Sequence, residues 1–109
     1  MMTPRVIAQS VSQSRSLAQL SDFAERLFWR LVASADDWGR LPAYPERVKA
    51  QCLPTLPHTL DAIADALGEL EAAGRIARYR EAYVETVQIL DFDRYQPVAQ
   101  LSRQPSRYP

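Results

Sequence analysis

The sequence predicts a mainly α fold with a small antiparallel β-hairpin, arranged as a winged helix-turn-helix. Three observations carry this. Apolar residues recur at helical spacing over residues 23–35 and again over 60–70. Pro54 and Pro57 place a rigid turn between a short middle helix and the last of these segments. Two runs rich in β-formers, 76–80 and 83–90, then follow with only a few residues between them. Three helices, a turn between the second and third, and a closing hairpin give that order.

The first helix organises the rest. Phe23, Leu27 and Leu31 stack at i, i+4 and i+8, with Ala24, Phe28, Val32 and Ala35 beside them, which makes one broad apolar face. Ser21 suits the N-cap, and Asp22 suits the first turn because a negative charge there meets the positive end of the helix dipole. Asp22 and Arg26 add an acid-first i,i+4 pair. After the Asp36-Asp37-Trp38 corner, Gly39 releases the chain. Trp38 is expected to pack at the helix end.

Before this helix, residues 1–16 carry Ser and Gln around Val6, Ile7 and Val11 and read as an arm, frayed or added to a sheet as a short strand. Leu17 and Leu20 begin the packed domain, taken as residues 17–93. Residues 40–44 suit a connector or a brief strand. Pro45 fits the N1 position of a second helix from Glu46 to about Leu53. Thr59 suits the N-cap of a third helix whose buried stripe is Leu60, Ile63, Ala64, Leu67 and Leu70, with Gly74 as its left-handed C′ residue. Alternation of Val87 and Ile89 with Thr86 and Gln88 marks the second strand. Glu81-Ala82 offers neither Gly nor Asn for a tight two-residue turn, so a wider hairpin loop is expected. The tail, 94–109, has prolines at 97, 105 and 109 and reads as extended or mobile.

Thirteen basic and thirteen acidic residues cancel over 109 residues, so no global field draws the chain to nucleic acid or membrane; any such binding must come from local asymmetry. Cys52 is the only cysteine, which excludes an internal disulfide and fits a reducing cytoplasm. No apolar run approaches the roughly 18 residues of a membrane span.

Several pieces in order resemble the N-terminal domain of phage replisome-organiser and DnaD-like replication initiation proteins. They are Arg5-Val6-Ile7, Leu20-Ser21-Asp22-Phe23-Ala24, Leu27-Phe28, and Ala35-Asp36-Asp37-Trp38-Gly39-Arg40. Pro45, Val48-Lys49-Ala50, Leu67-x-Glu69-Leu70-x-x-Ala73-Gly74, Val87-Gln88-Ile89, Arg94-Tyr95-Gln96 and Ser106-Arg107-Tyr108-Pro109 continue the match. The Ala-Asp-Asp-x-Gly-Arg run and the Tyr-Pro terminus are the more specific. The resemblance implies a cytoplasmic, non-enzymatic winged-helix domain used in starting DNA replication, acting through DNA or protein contacts and often self-association, with replication proteins as partners. In that family the Tyr-Pro terminus is commonly followed by a linker and a second domain, so the chain reads as a short member or a fragment. The family often has Asp-Gly where Glu81-Ala82 stands here.

The charge map departs from a helix that reads DNA bases. Between Thr59 and Gly74 there are four acids and no Lys or Arg. The face opposite the apolar stripe carries Asp61, Asp65, Gly68, Glu69 and Ala72, which phosphate repels and which offers no cation to guanine. That face is solvated, a docking surface for a basic partner through Asp61, Asp65 and Glu69, or, least suited by its charge, an ordinary major-groove reader. The candidate DNA contacts gather instead on the wing, at Arg75, Arg78 and Arg80, with Arg94 beyond; Arg47 and Lys49, and Arg103 and Arg107 in the tail, are supplements. Their alternatives are solvated surface arginines and phosphate contacts of low sequence specificity. Trp29 lies off the apolar stripe and is covered by the arm or anchors an interface, with a homo-oligomer one option.

His58 and Cys52 form no metal set, and as a nucleophile-base pair they lack an orienting group and an oxyanion loop. Asp36-Asp37 suits a hydrated corner better than a metal. The three glycines are separate, so no phosphate-cradling loop exists, and no cofactor is expected. A transcriptional regulator binding DNA through wing and arms is the competing reading.

Overall fold

The computed structural model describes residues 5, 7 and 12–96, with Arg94 and Tyr95 described in backbone only. Their order is α1 (Arg15–Ala18), α2 (Asp22–Ser34), β1 (Arg40–Pro42), α3 (Pro45–Cys52), α4 (Leu60–Ala72), β2 (Ile76–Glu81), β3 (Val84–Ile89) and α5 (Phe92–Tyr95). The expected three helices are α2, α3 and α4. Helices pack with one small antiparallel sheet of order β1-β3-β2, so the last strand lies in the middle. Leu41 of the brief strand β1 faces Val87, and Ile76 of β2 faces Ile89.

The helix ends follow the capping logic. Ser21 accepts from the Ala24 N–H and Thr59 from the Ala62 N–H, each satisfying an otherwise orphaned donor. Pro45 opens α3, where a missing N–H costs nothing. Gly74 takes φ +74° after α4. Helix α2 stops at Ser34, and the corner beyond it is held by Asp36, whose Oδ1 accepts from the N–H groups of Trp38 (2.9 Å) and Arg40 (3.0 Å).

Leu27, Leu31, Val48, Ile63, Leu67, Leu70 and Val87 are fully buried, and Leu17, Phe28, Ile76 and Ile89 nearly so, in one core. Two expectations need correction. Phe23 packs only against the core margin, where its ring stacks on His58 at 4.0 Å. Leu60 is 44% exposed and Ala64 half-exposed, so the buried stripe of α4 is Ile63, Ala66, Leu67 and Leu70. On a 3.6-residue helix Leu60 lies about 70° from the centre of that stripe, and it sits in the first turn.

The hairpin departs furthest from expectation. Glu81 pairs with Val84, leaving a two-residue loop of Ala82 (φ 52°) and Tyr83 (φ 65°). Positive φ at both central residues is the type I′ pattern, which fits strand twist but is costly without Gly or Asn. Sheet twist won over local preference.

Arg5 was not anticipated as a structural residue. Its guanidinium donates to the carbonyls of Val32 (3.0 Å from Nε), Ala35 (2.6 Å) and Asp36 (3.1 Å), at the C-terminal end of α2. It also pairs with the buried Asp37 at 3.5 Å and lies 5.2 Å from the Phe92 ring centre. One cation thus meets the Val32 carbonyl in the last turn of α2 and the two carbonyls just past its end, where the dipole is negative. Val6, Val11 and the tail beyond Gln96 lie outside the described residues; Leu17 is buried, as expected of the start of the core.

Candidate functional site

Helix α4 holds the position where a base-reading helix is expected. Its outward side is small and acidic, with Asp61, Asp65, Glu71 and Ala72 exposed and Ala64 and Gly68 half-exposed. The acids do not act alike. Glu69 turns to α2, where its carboxylate accepts from both the N–H and the hydroxyl of Ser21. That places a negative charge at the N-terminus of α2 and leaves Asp61 and Asp65 as the acids of the candidate docking face.

Glu71 reaches β2. Its carboxylate accepts from the Arg78 backbone N–H (3.2 Å), Nε (3.3 Å) and a terminal nitrogen (3.0 Å). The hydrogen bond from Arg78 holds the Glu71 carboxyl below the usual carboxylate range. The register explains the backbone contact. Arg75 accepts from the Leu90 N–H, so the odd residues of β2 face β3 and the Arg78 N–H points outward from the sheet edge. Glu71 covers that edge group, a recurrent protection of edge strands.

The arginines expected to gather on a wing, Arg75, Arg78 and Arg80, are therefore not one cluster. Arg75 turns inward: it lies 4.9 Å from the Phe28 ring centre and donates to Ser16 Oγ at 3.1 Å. Arg78 is paired with Glu71, and Arg80 is exposed opposite Glu85 on β3. On α3, Arg47 is exposed and Lys49 half-buried. The side chain of Arg94 and the whole of Arg103 and Arg107 lie outside the described residues. Two more arginines serve the fold: Arg30 donates to the Cys52 carbonyl at the end of α3 (3.0 Å), and Arg40 Nε donates to Gln88 (2.8 Å).

Trp29 is half-buried and meets Phe28 edge-on at 5.1 Å. Trp38, expected to pack at the helix end, is 37% exposed beside Leu90. Burial pushes the Cys52 thiol up, against the lowering effects of Ser34 and Arg30. His58 stacks on Phe23, and its Nδ1 is buried without a hydrogen-bond partner. Among the described residues no group of three His, Cys, Asp or Glu side chains is placed to hold a metal, and no helix is long and apolar enough to cross a membrane. No protein-family model, curated protein or solved structure matches the chain.

Proposed function

We propose that this chain is a non-enzymatic winged-helix module of phage-type DNA-replication initiation that works mainly by protein association, with weak DNA contacts of low sequence selectivity. The order α2-β1-α3-α4-β2-β3 with its β1-β3-β2 sheet supports the winged-helix reading. The replication role and a cytoplasmic setting rest on the sequence resemblance.

The observation that carries the mechanism is the charge on α4. Its exposed face presents Asp61 and Asp65, and no Lys or Arg lies between Thr59 and Gly74. The Arg, Lys, Asn and Gln donors that read guanine and adenine in the major groove are all missing between Thr59 and Gly74, and the acids that could accept from cytosine are repelled by phosphate. On the wing Arg75 and Arg78 are engaged within the fold, so Arg80 is the cation most open to phosphate, with Arg47 on α3 as a second. This disfavours the transcriptional-regulator reading, which needs a base-reading element.

The test is duplex binding by three proteins at low salt. Arg80→Ala is expected to weaken binding, and Asp61→Asn with Asp65→Asn to leave it unchanged or strengthen it. Sequence-selective binding lost in the Asp61 and Asp65 variant would transfer the recognition surface to α4.

A further inference from the structure

We propose that the outer face of the three-stranded sheet is a docking surface for the chain's own C-terminal segment, residues 97–109. Side chains alternate across a sheet, so the register sorts them. Leu41, Ile76, Val87 and Ile89 share the inner face and belong to the core. On the outer face Pro42, Thr86 and Tyr79 stand side by side across the three strands. Thr86, at the centre, is 0% exposed, and Pro42 beside it is buried. Neighbours within a sheet stand beside a residue, about 4.8 Å away, and not above it. A bare sheet face would therefore leave its central threonine in contact with water. The Thr86 hydroxyl is also buried without a hydrogen-bond partner among the described residues, which marks a position that a further group covers.

Position and composition select the C-terminal segment as the occupant. The chain leaves β3 through α5, and Gln96, just past that helix, is still only 4% exposed. Thirteen residues follow, 97 to 109. At about 3.3 Å each they reach roughly 43 Å, against about 20 Å for a six-residue strand. Val98, Leu101 and Tyr108 supply apolar cover for the face. The segment has two arginines, Arg103 and Arg107, and no acid, while Glu81 stands on the same outer face at its hairpin end. The N-terminal arm is held elsewhere, with Arg5 on the carbonyls at the end of α2 and Ser16 on Arg75. The proposal is independent of the replication and DNA readings.

The test uses the full chain carrying Thr86→Cys, whose new thiol reports on the cover over the face. The unaltered chain, with its one buried thiol at Cys52, gives the background. Labelling by a soluble aromatic disulfide is expected to be slow. Adding Val98→Asp and Leu101→Asp should speed it about tenfold or more, with far-UV circular dichroism unchanged. A second measurement needs no substitution: trypsin should cut after Arg103 more slowly in the unaltered chain than in a free peptide of residues 97–109. Labelling indifferent to the two aspartates overturns the proposal, and so does cleavage of the chain as fast as the free peptide. Labelling that rises on dilution alone makes a second copy the occupant and overturns it as well.

Discussion

Replacing Ala82 with Asn and Tyr83 with Gly should stabilise the fold, although both residues are exposed. Both now hold positive φ, 52° and 65°, in a two-residue loop. An L-residue in the left-handed region costs about 1–2 kcal/mol, so the native pair stores about 2–4 kcal/mol. Asn and Gly are the residues that type I′ turns prefer. Against this gain, Gly adds unfolded-state entropy costing about 0.5–1 kcal/mol. Loss of the Tyr83 ring removes little packing, since the residue is 88% exposed. The net expectation is a gain of about 1–3 kcal/mol, with a rise in Tm of about 4–8 °C per kcal/mol for a domain near this size. Urea unfolding followed by circular dichroism reads it, with an unchanged m-value confirming that the same surface is exposed. A neutral or lowered midpoint would refute the strained two-residue turn.

Three other perturbations test the frame. Gly39→Ala meets both a φ of +78° and the Phe92 ring at 2.6–2.9 Å; it should destabilise by about 2–5 kcal/mol in the same urea assay. Arg5→Ala leaves Asp37 and three carbonyls at the end of α2 without its guanidinium. A loss of about 2–4 kcal/mol is expected, and one within surface scatter of about 0.5 kcal/mol would mean the arm is not tied down. Glu71→Gln tests pH linkage. The folded Glu71 pKa is depressed by Arg78, so its contribution is present above the unfolded value of 4.5 and fades as pH falls through the folded one. The stability difference between the native chain and Glu71→Gln should accordingly shrink on acidification below pH 4.5 and stay constant near neutrality.

The helices were legible because each signal was local and repeated. Ser21, Thr59, Pro45 and Gly74 fulfil their capping roles, and the periodic Leu27-Leu31 and Ile63-Leu67-Leu70 positions are fully buried. The hairpin was legible from its two runs of β-formers, but its register and its turn were not. The loop conformation is set by the twist of the paired strands, which overrides the preference of Ala82 and Tyr83 for negative φ. The partners of the charged side chains were the least legible. Arg5 reaches residues 27 to 32 positions away, and Glu69 meets Ser21 across 48, so no local pattern announces either contact. A missed clue was the spacing Glu71 to Arg78 across Gly74: a helix turning directly into an edge strand brings its last acid over the strand's outward N–H.

The most direct measurement is the slope of log K against log salt for binding to a mixed-sequence duplex. Each phosphate contact contributes about −0.9 to that slope. Two or three free arginines on the hairpin would imply roughly −2 to −3 on that basis, as the sequence alone suggests. With Arg75 held on Phe28 and Arg78 paired to Glu71, the expected slope is shallower, about −1 to −2, and nearly independent of DNA sequence. A slope steeper than about −4, with tight binding to one sequence over others, would contradict a module in which DNA contact is secondary to protein association.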